Sequence, residues 1–337
     1  MKNSVLDISC KQSSPEPANP KVSIIILNWN GAEDTIECLN SVEGLSYPNY
    51  DIIVVDNGSV DGSRDLIKKT CPRVTVLSLG VNLGYAGGNN AGIKYAMDHG
   101  ADYVLILNND TVIDSCIINE FIKSSEKHKT AGIFGAKIYY YNDPACIWFG
   151  RAKWNEDISD FNSIDDGKTD ACPEVNDVHE TDYVCGCAMF IRASLIKKIG
   201  LFDESFFLCW EETDFCERAK RAGLKCLFVP TAKVWHKIAV SFKGESSPQK
   251  IYFNTRNKLL WAKRNLSLRK RWAVYRSALK ELLPSSFEKN NFSFIKNIYW
   301  DILRIKKNRN SPIFKARISG IKDFVFRRYG NKVQVKI

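Results

Sequence analysis

The stretch Tyr103-Val104-Leu105-Ile106-Leu107-Asn108-Asn109-Asp110 decides how the rest of the chain is read. An apolar run closed by polar residues reads as a buried strand, with the polar triplet at its carboxyl end. Open α/β sheets bind ligands at that end of their strands. A carboxylate flanked by amides, with no basic residue beside it, suits a hard divalent cation that holds phosphate oxygens. Asn108-Asn109-Asp110-Thr111 also suits a plain turn and helix cap, so the triplet alone admits both readings.

Outward from this strand the pattern repeats. Val22 to Leu27, Ile52 to Val55 and Val74 to Leu77 are short β-branched runs that read as strands. Helical spacing falls between them, over Glu33 to Val42 and over Asp61 to Lys69, the latter with an acidic first turn. Gly84 to Gly92 reads as a glycine-rich loop entering a helix that ends near His99-Gly100. Alternation at this spacing predicts β-α-β units and a mostly parallel sheet covered on both faces. Further on, Asn155 to Asp182 is acidic and polar and reads as a long loop on the active-site side. Val184 to Ile191 is a strand, Leu195 to Ile199 a short helix, and Glu211 to Ala222 a helix ended by Gly223. Cys226 to Val229 reads as a strand ended by Pro230.

The chain has 337 residues, 45% of them hydrophobic and 26% charged, which is the composition of a water-soluble globular protein with room for a large core. No run approaches the ~20 apolar residues of a membrane span. Residues 1–20 lack the apolar core of a signal peptide and read as a disordered polar tail. Eleven scattered cysteines, an odd number, argue against a paired disulfide scaffold and favour a reducing cytosol. Cys185-Gly186-Cys187 is too tight for a zinc half-site. The net charge of +10 is uneven: residues 251–337 hold 22 Lys plus Arg against 4 Asp plus Glu, so the remainder is acidic. That asymmetry points to an anionic partner for the tail, a membrane surface or a nucleic acid.

Several constellations could carry chemistry. Gly84-Tyr85-Ala86-Gly87-Gly88-Asn89-Asn90-Ala91-Gly92 is neither a dinucleotide fingerprint nor a P-loop, but its backbone can approach a ligand closely. Asp56 ends a strand at the same sheet edge as Asp110 and can accept hydrogen bonds from a base or a ribose hydroxyl. Glu211, Glu212 and Asp214 open a helix after Trp210, which suits the helix dipole and also a general base. His236 could ligate a metal or contact a diphosphate, or be structural. Arg256, in Tyr252-Phe253-Asn254-Thr255-Arg256-Asn257-Lys258, could clamp phosphates or lie on a solvated basic face.

Taken in order, these pieces resemble the family-two glycosyltransferases with the GT-A fold, in their rhamnosyltransferase-like branch. Ser23-Ile-Ile-Ile-Leu-Asn28-Trp29-Asn30 looks like that family's opening strand, and Asp56-Asn57-Gly58-Ser59 like its nucleotide-contacting turn. Asn82 with Gly84, Gly88 and Asn89 looks like its glycine loop, and Asn108-Asn109-Asp110 stands at its Asp-x-Asp position. Glu211-Glu212-Thr213-Asp214 looks like its base-bearing helix, and Val234-Trp235-His236 and Tyr252 to Asn257 like its closing motifs. The resemblance implies inverting transfer from a nucleotide-diphospho-sugar, with rhamnose the leading candidate sugar, to a saccharide or polyprenyl-linked acceptor. Asn28, Asn30, Asp56, Asn82, Gly84, Gly88, Asn89, Asn108, Asn109 and Arg256 would contact the donor. Asp110 with His236 would hold Mg²⁺ or Mn²⁺, and Glu212 would be the base, with Glu211 or Asp214 able to substitute. Asn108 stands where many relatives have Asp, and Glu212 where many have Asp.

Residues 21–245 are therefore expected to form the GT-A catalytic domain, followed by a basic, aromatic-rich helical region over 246–337. Its interleaved Lys, Arg, Trp, Tyr and Phe suit an anionic bilayer. The expectation is a cytoplasmic enzyme, peripheral on the inner face of the cell membrane, with no nucleic-acid partner. Two rivals are a non-catalytic nucleic-acid binder acting through the tail and a sugar-nucleotide pyrophosphorylase. The first leaves the acidic body and the ordered motifs unexplained. The second lacks basic residues in Asn28-Trp29-Asn30-Gly31 for a triphosphate.

Overall fold

The computed structural model describes residues 19–238, 247–282, 308 and 310–330. The expected disordered tail over residues 1–20 lies almost wholly outside the described residues, as does the expected boundary at 245/246. The main body runs β1 (Val22–Asn28), α1 (Ala32–Glu43), β2 (Tyr50–Asp56), α2 (Ser63–Thr70), β3 (Thr75–Ser78), α3 (Gly84–Asp98), β4 (Tyr103–Asn108), β5 (Thr111–Ile113), α4 (Ile117–Lys127) and β6 (Ala131–Tyr140). It continues with β7 (Ile147–Phe149), β8 (Ala152–Asn155), β9 (Asp160–Ser163), β10 (His179–Glu180), β11 (Ala188–Arg192), α5 (Ala193–Ile199), α6 (Glu211–Arg221) and β12 (Lys225–His236). Helices α7 (Pro248–Asn265), α8 (Leu268–Leu282) and α9 (Pro312–Val325) follow.

The main sheet has the order β10-β12-β6-β11-β4-β1-β2-β3, with β5 and β7 added at β12 and β6. Strands β4, β1, β2 and β3 are parallel, and β11 is inserted antiparallel between β4 and β6. In β1, Ile24, Ile25 and Ile26 are all fully buried, because both sheet faces are covered. The strand's two-residue period sends Ile24 and Ile26 to one core, with α1, α2 and α4, and Ile25 to the other, with α3, α5 and α6. The register pairs Asn28 with Asp56 and Leu27 with Asn108. The polar ends of three adjacent parallel strands therefore line up along one edge, where such sheets bind ligands.

Three expectations are corrected. The glycine-rich stretch is the first two turns of α3, not a loop. A Cβ at Gly88 would meet Leu27 Cδ1 at 2.4 Å, and one at Gly92 would meet Ile25 Cγ2 at 2.6 Å. These glycines let the helix lie close on the sheet. Pro230 does not end its strand: β12 continues to His236, with a register shift between Val229 and Lys233 that absorbs the missing N–H. The 155–182 stretch is not one loop; it holds β9, which pairs antiparallel with the preceding β8, a short 3₁₀ turn and β10.

Helix α7 packs against the body. Trp261 contacts Trp154 and Trp210, with ring centroids 5.2 Å and 5.4 Å apart. Part of the tail's positive charge is answered inside the chain, by Lys258–Asp160, Arg264–Asp203 and Lys270–Glu156 pairs. Of the expected bilayer-facing aromatics, Phe292, Phe294, Tyr299 and Trp300 lie outside the described residues.

Candidate active site

At the end of β1, Asn28 is buried and fully used. Its amide donates to Asp56 Oδ1 and to Ser59 Oγ, both at 3.1 Å, and its oxygen accepts from Thr35 Oγ1 at 2.9 Å. It therefore aims Asp56 rather than offering a free group. Asn30, left-handed with φ 52°, accepts from the Val60 amide at 2.9 Å and stiffens the same turn. Asp56 and Ser59 border a 270 Å³ cavity with Arg64 and Ser78. A second pocket, of about 190 Å³, is bounded by Trp29, Asn57, Asn82, Gly84, Asn108 and Asn109, among others. Asn57 ties its wall together, donating to Asn82 Oδ1 and to the Gly84 carbonyl at 3.1 Å. Gly84 has φ 73°, and a Cβ there would stand 2.3 Å from the Phe207 carbonyl oxygen. Gly88 faces β1 instead of the pocket, and Asn89 is buried in α3, donating to the Tyr85 carbonyl at 3.0 Å.

Asp110 and His236 come together just beyond β4. His236 Nε2 lies 3.0 Å from Asp110 Oδ1, and both side chains are buried. Asn108 Nδ2 stands 3.4 Å from the same nitrogen. His236 Nδ1 is buried without a hydrogen-bond partner. A carboxylate oxygen beside an imidazole nitrogen fits two corners of a Mg²⁺ or Mn²⁺ site. Among the described residues no set of three or more His, Cys, Asp or Glu groups forms a metal cluster. The remaining corners would fall to ligand oxygens and water.

Helix α6 carries the acidic cluster. Burial pushes the Glu211 carboxyl well above the usual range, helped by the neighbouring Glu212 charge, and burial also raises Glu212. One oxygen of each is buried without a partner. Glu212, not Glu211, lines a cleft of about 480 Å³ whose walls include Trp148, Phe161, Tyr183 and Trp210. Asp214 does not share in this. It is held by Arg218 Nε at 2.9 Å and by Asn265 Nδ2 at 3.1 Å, so it is structural. Trp148 joins the two centres: it lines the cleft, and its ring lies 4.9 Å from that of His236.

Arg256 is no phosphate clamp. It is fully buried, stacks on Phe253 and donates to the Phe206 carbonyl at 2.7 Å. Its neighbour Asn257 donates to the carbonyls of Phe206, Leu208 and Cys209 at 2.7–2.9 Å. The segment they hold has Phe207, Cys209 and Trp210 at φ 64°, 66° and 75°. Left-handed non-glycine residues cost about 1–3 kcal/mol each, so such a run persists only when its surroundings impose it. Sequence reasoning missed Trp148 and the β9 residues Asp160 and Phe161, which no local pattern marks. Asn57 and Asn257 stood inside quoted motifs and could have been found there.

A parallel β4-β1-β2-β3 core with an antiparallel insertion, and polar strand ends facing a carboxylate–histidine pair, defines the GT-A class of nucleotide-sugar-dependent fold. The sequence model described as Glycosyl transferase family 2 matches residues 23–198, more than half of the chain, and the chain belongs to that family. It is a glycosyltransferase. It is 29% identical over 247 residues to the low-salt glycan biosynthesis hexosyltransferase Agl10 of Haloferax volcanii, covering 71% of this chain and 74% of that protein. It is 25% identical over 299 residues to the dTDP-rhamnosyl transferase RfbF of Shigella flexneri, covering 82% and 93%. Among solved structures it is similar in fold to the mannosyltransferase PcManGT of Pyrobaculum calidifontis, in complex with GDP-Man and Mn²⁺, with a TM-score of 0.56 at 13% identity over 94% of this chain and 90% of that one.

Proposed function

We propose that the chain transfers a hexosyl group, with rhamnose from dTDP-rhamnose the leading candidate, from a nucleotide-diphospho-sugar to a saccharide acceptor with inversion at the anomeric carbon. The nucleoside lies along Asp56, Ser59 and the Asn57–Asn82 wall. Glu212 takes the proton of an acceptor hydroxyl whose oxygen bonds to the anomeric carbon. The bond from that carbon to the diphosphate oxygen breaks on the opposite face. Asp110 and His236 would hold a divalent cation, Mg²⁺ or Mn²⁺, which when bound neutralises charge on the leaving diphosphate. Burial suits Glu212 to its task, since a raised pKa makes a stronger base. The single observation that carries the reading is Trp148, which touches His236 and lines the cleft of Glu212. The similarity to RfbF supports the donor, and the Mn²⁺ bound by PcManGT supports a divalent ion.

The acceptor is proposed to be lipid-linked, with the enzyme resting on an anionic bilayer at the cytoplasmic face. On α8, Leu268 and Trp272 are 69% and 68% exposed and share one stripe with Leu279, amid Arg269, Lys270, Arg271 and Arg276. Val325 and Phe326, at the end of α9, are also exposed. Among the described residues no helix is long and apolar enough to cross a membrane. A thermal-shift panel of nucleotide sugars with and without Mn²⁺ tests the donor reading. One nucleotide sugar should raise the melting temperature, more so with Mn²⁺. No shift with any member would overturn it.

A further inference from the structure

We propose that Asn257, oriented by Arg256, is a positioning residue for the Glu212 base: it pins the strained 206–210 segment that forms the partition between the two ligand pockets. The inference rests on the reading of Glu212 given above.

Phe207 and Leu208 border the pocket that contains Asn57, Asn82 and Asn108. Cys209 and Trp210, the next two residues, border the cleft that contains Glu212. One short segment therefore faces the donor side with its first half and the acceptor side with its second. Trp210 then caps α6 in a left-handed conformation, so its backbone sets the direction in which Glu211 and Glu212 leave. With three left-handed non-glycine residues in four, this segment does not hold its shape by local preference.

Most of its carbonyls are held by one amide. Asn257 Nδ2 reaches the carbonyls of Phe206 at 2.8 Å, Leu208 at 2.7 Å and Cys209 at 2.9 Å. A carboxamide has two N–H groups, so these three contacts are shared between them. The amide's orientation is set by Arg256, whose Nε donates to Asn257 Oδ1 at 2.8 Å. Arg256 Nη2 adds a bond to the Phe206 carbonyl. Both residues are fully buried, out of reach of any ligand, so they act through the segment they hold. The opposite side is fixed by the Ala86 amide, which donates to the Phe207 carbonyl at 3.2 Å.

Asn257→Asp keeps the shape and the oxygen that Arg256 grips but removes both donors. Hydrogen exchange followed by mass spectrometry on the full chain should show peptides covering 205–212 exchanging about tenfold faster, with β1, β2 and β4 unchanged. With the nucleotide sugar selected by thermal shift, kcat should fall about 10²-fold while KM for the donor moves far less. Unchanged exchange over 205–212, or local loosening with unchanged kcat, would overturn the proposal. If Asn257→Asp loosens the whole chain, Arg256→Lys, which removes the Nε–H that orients the amide, takes its place: the same local loosening and fall in kcat support the proposal, and the absence of either overturns it. A wild-type chain that binds no nucleotide sugar refutes the glycosyl-transfer reading of the site, while the exchange arm still reports on the brace.

Discussion

His236 Nε2 lies 3.0 Å from Asp110 Oδ1, although 126 residues separate them. The contact exists because β12 runs on past Pro230 and pairs with β5, placing His236 opposite Thr111. Asp110→Asn keeps the size of the side chain but removes its charge. The expected outcome is loss of about tenfold or more in Mn²⁺-dependent affinity for the nucleotide diphosphate. Titration calorimetry with and without Mn²⁺ checks this, and an unchanged metal dependence would reject the pair as a metal site.

The pH dependence follows from Glu212. Its neighbours Glu211, Tyr85, Tyr183, Cys187 and Cys209 are all pushed upward in pKa, chiefly by burial. Lys250, Lys258 and Arg317 also line the cleft, but burial is the largest influence on Glu212 and raises it. A base must be deprotonated, so turnover should fall as pH drops through the raised Glu212 value, above the ordinary ~4.3 of a free Glu. Stability has the opposite sign. A carboxyl whose pKa is raised by folding disfavours the folded state as pH rises through its folded value. Glu212→Gln should therefore melt at a higher temperature than wild type at neutral pH, with the difference shrinking in acid. A melting-temperature series against pH decides it.

Gly84 makes the tightest backbone contact in the pocket bounded by Asn57, Asn82 and Asn108. Gly84→Ala would place a methyl 2.3 Å from the Phe207 carbonyl oxygen at φ 73°. Strain and overpacking together should cost about 2–4 kcal/mol, read by chemical denaturation. A loss below about 0.5 kcal/mol, the size of an ordinary surface change, would show that the 206–208 segment yields easily.

Membrane contact predicts that full-length protein co-sediments with vesicles rich in phosphatidylglycerol and is released by salt. The double variant Leu268→Glu, Trp272→Glu should lose most of that binding. Equal sedimentation of variant and wild type would remove α8 from the contact.

The fold was largely legible because buried parallel strands are continuous apolar runs, as in Ile24 to Ile26 and Val104 to Leu107. The strand-end positions of Asp56 and Asn108 followed directly. What was not legible depended on packing. A lone Arg among aromatics has the same composition whether it clamps a phosphate or, like Arg256, is sealed under a loop. Gly88 looked like a ligand-facing glycine because close approach to Leu27 and close approach to a ligand ask for the same residue. Asp214 matched a base by position in its motif, but the i+4 Arg218 and the distant Asn265 occupy it. Trp148 meets His236 only through the β6–β7 pairing and the full length of β12, which no local signal announces.

The central claim is that Glu212 is the base of the transfer. Glu212→Gln, assayed for sugar transfer alongside donor binding in the same preparation, tests it most directly. The account predicts a loss of turnover of about 10²–10⁴-fold with donor affinity retained. Near-normal turnover in that variant would contradict it.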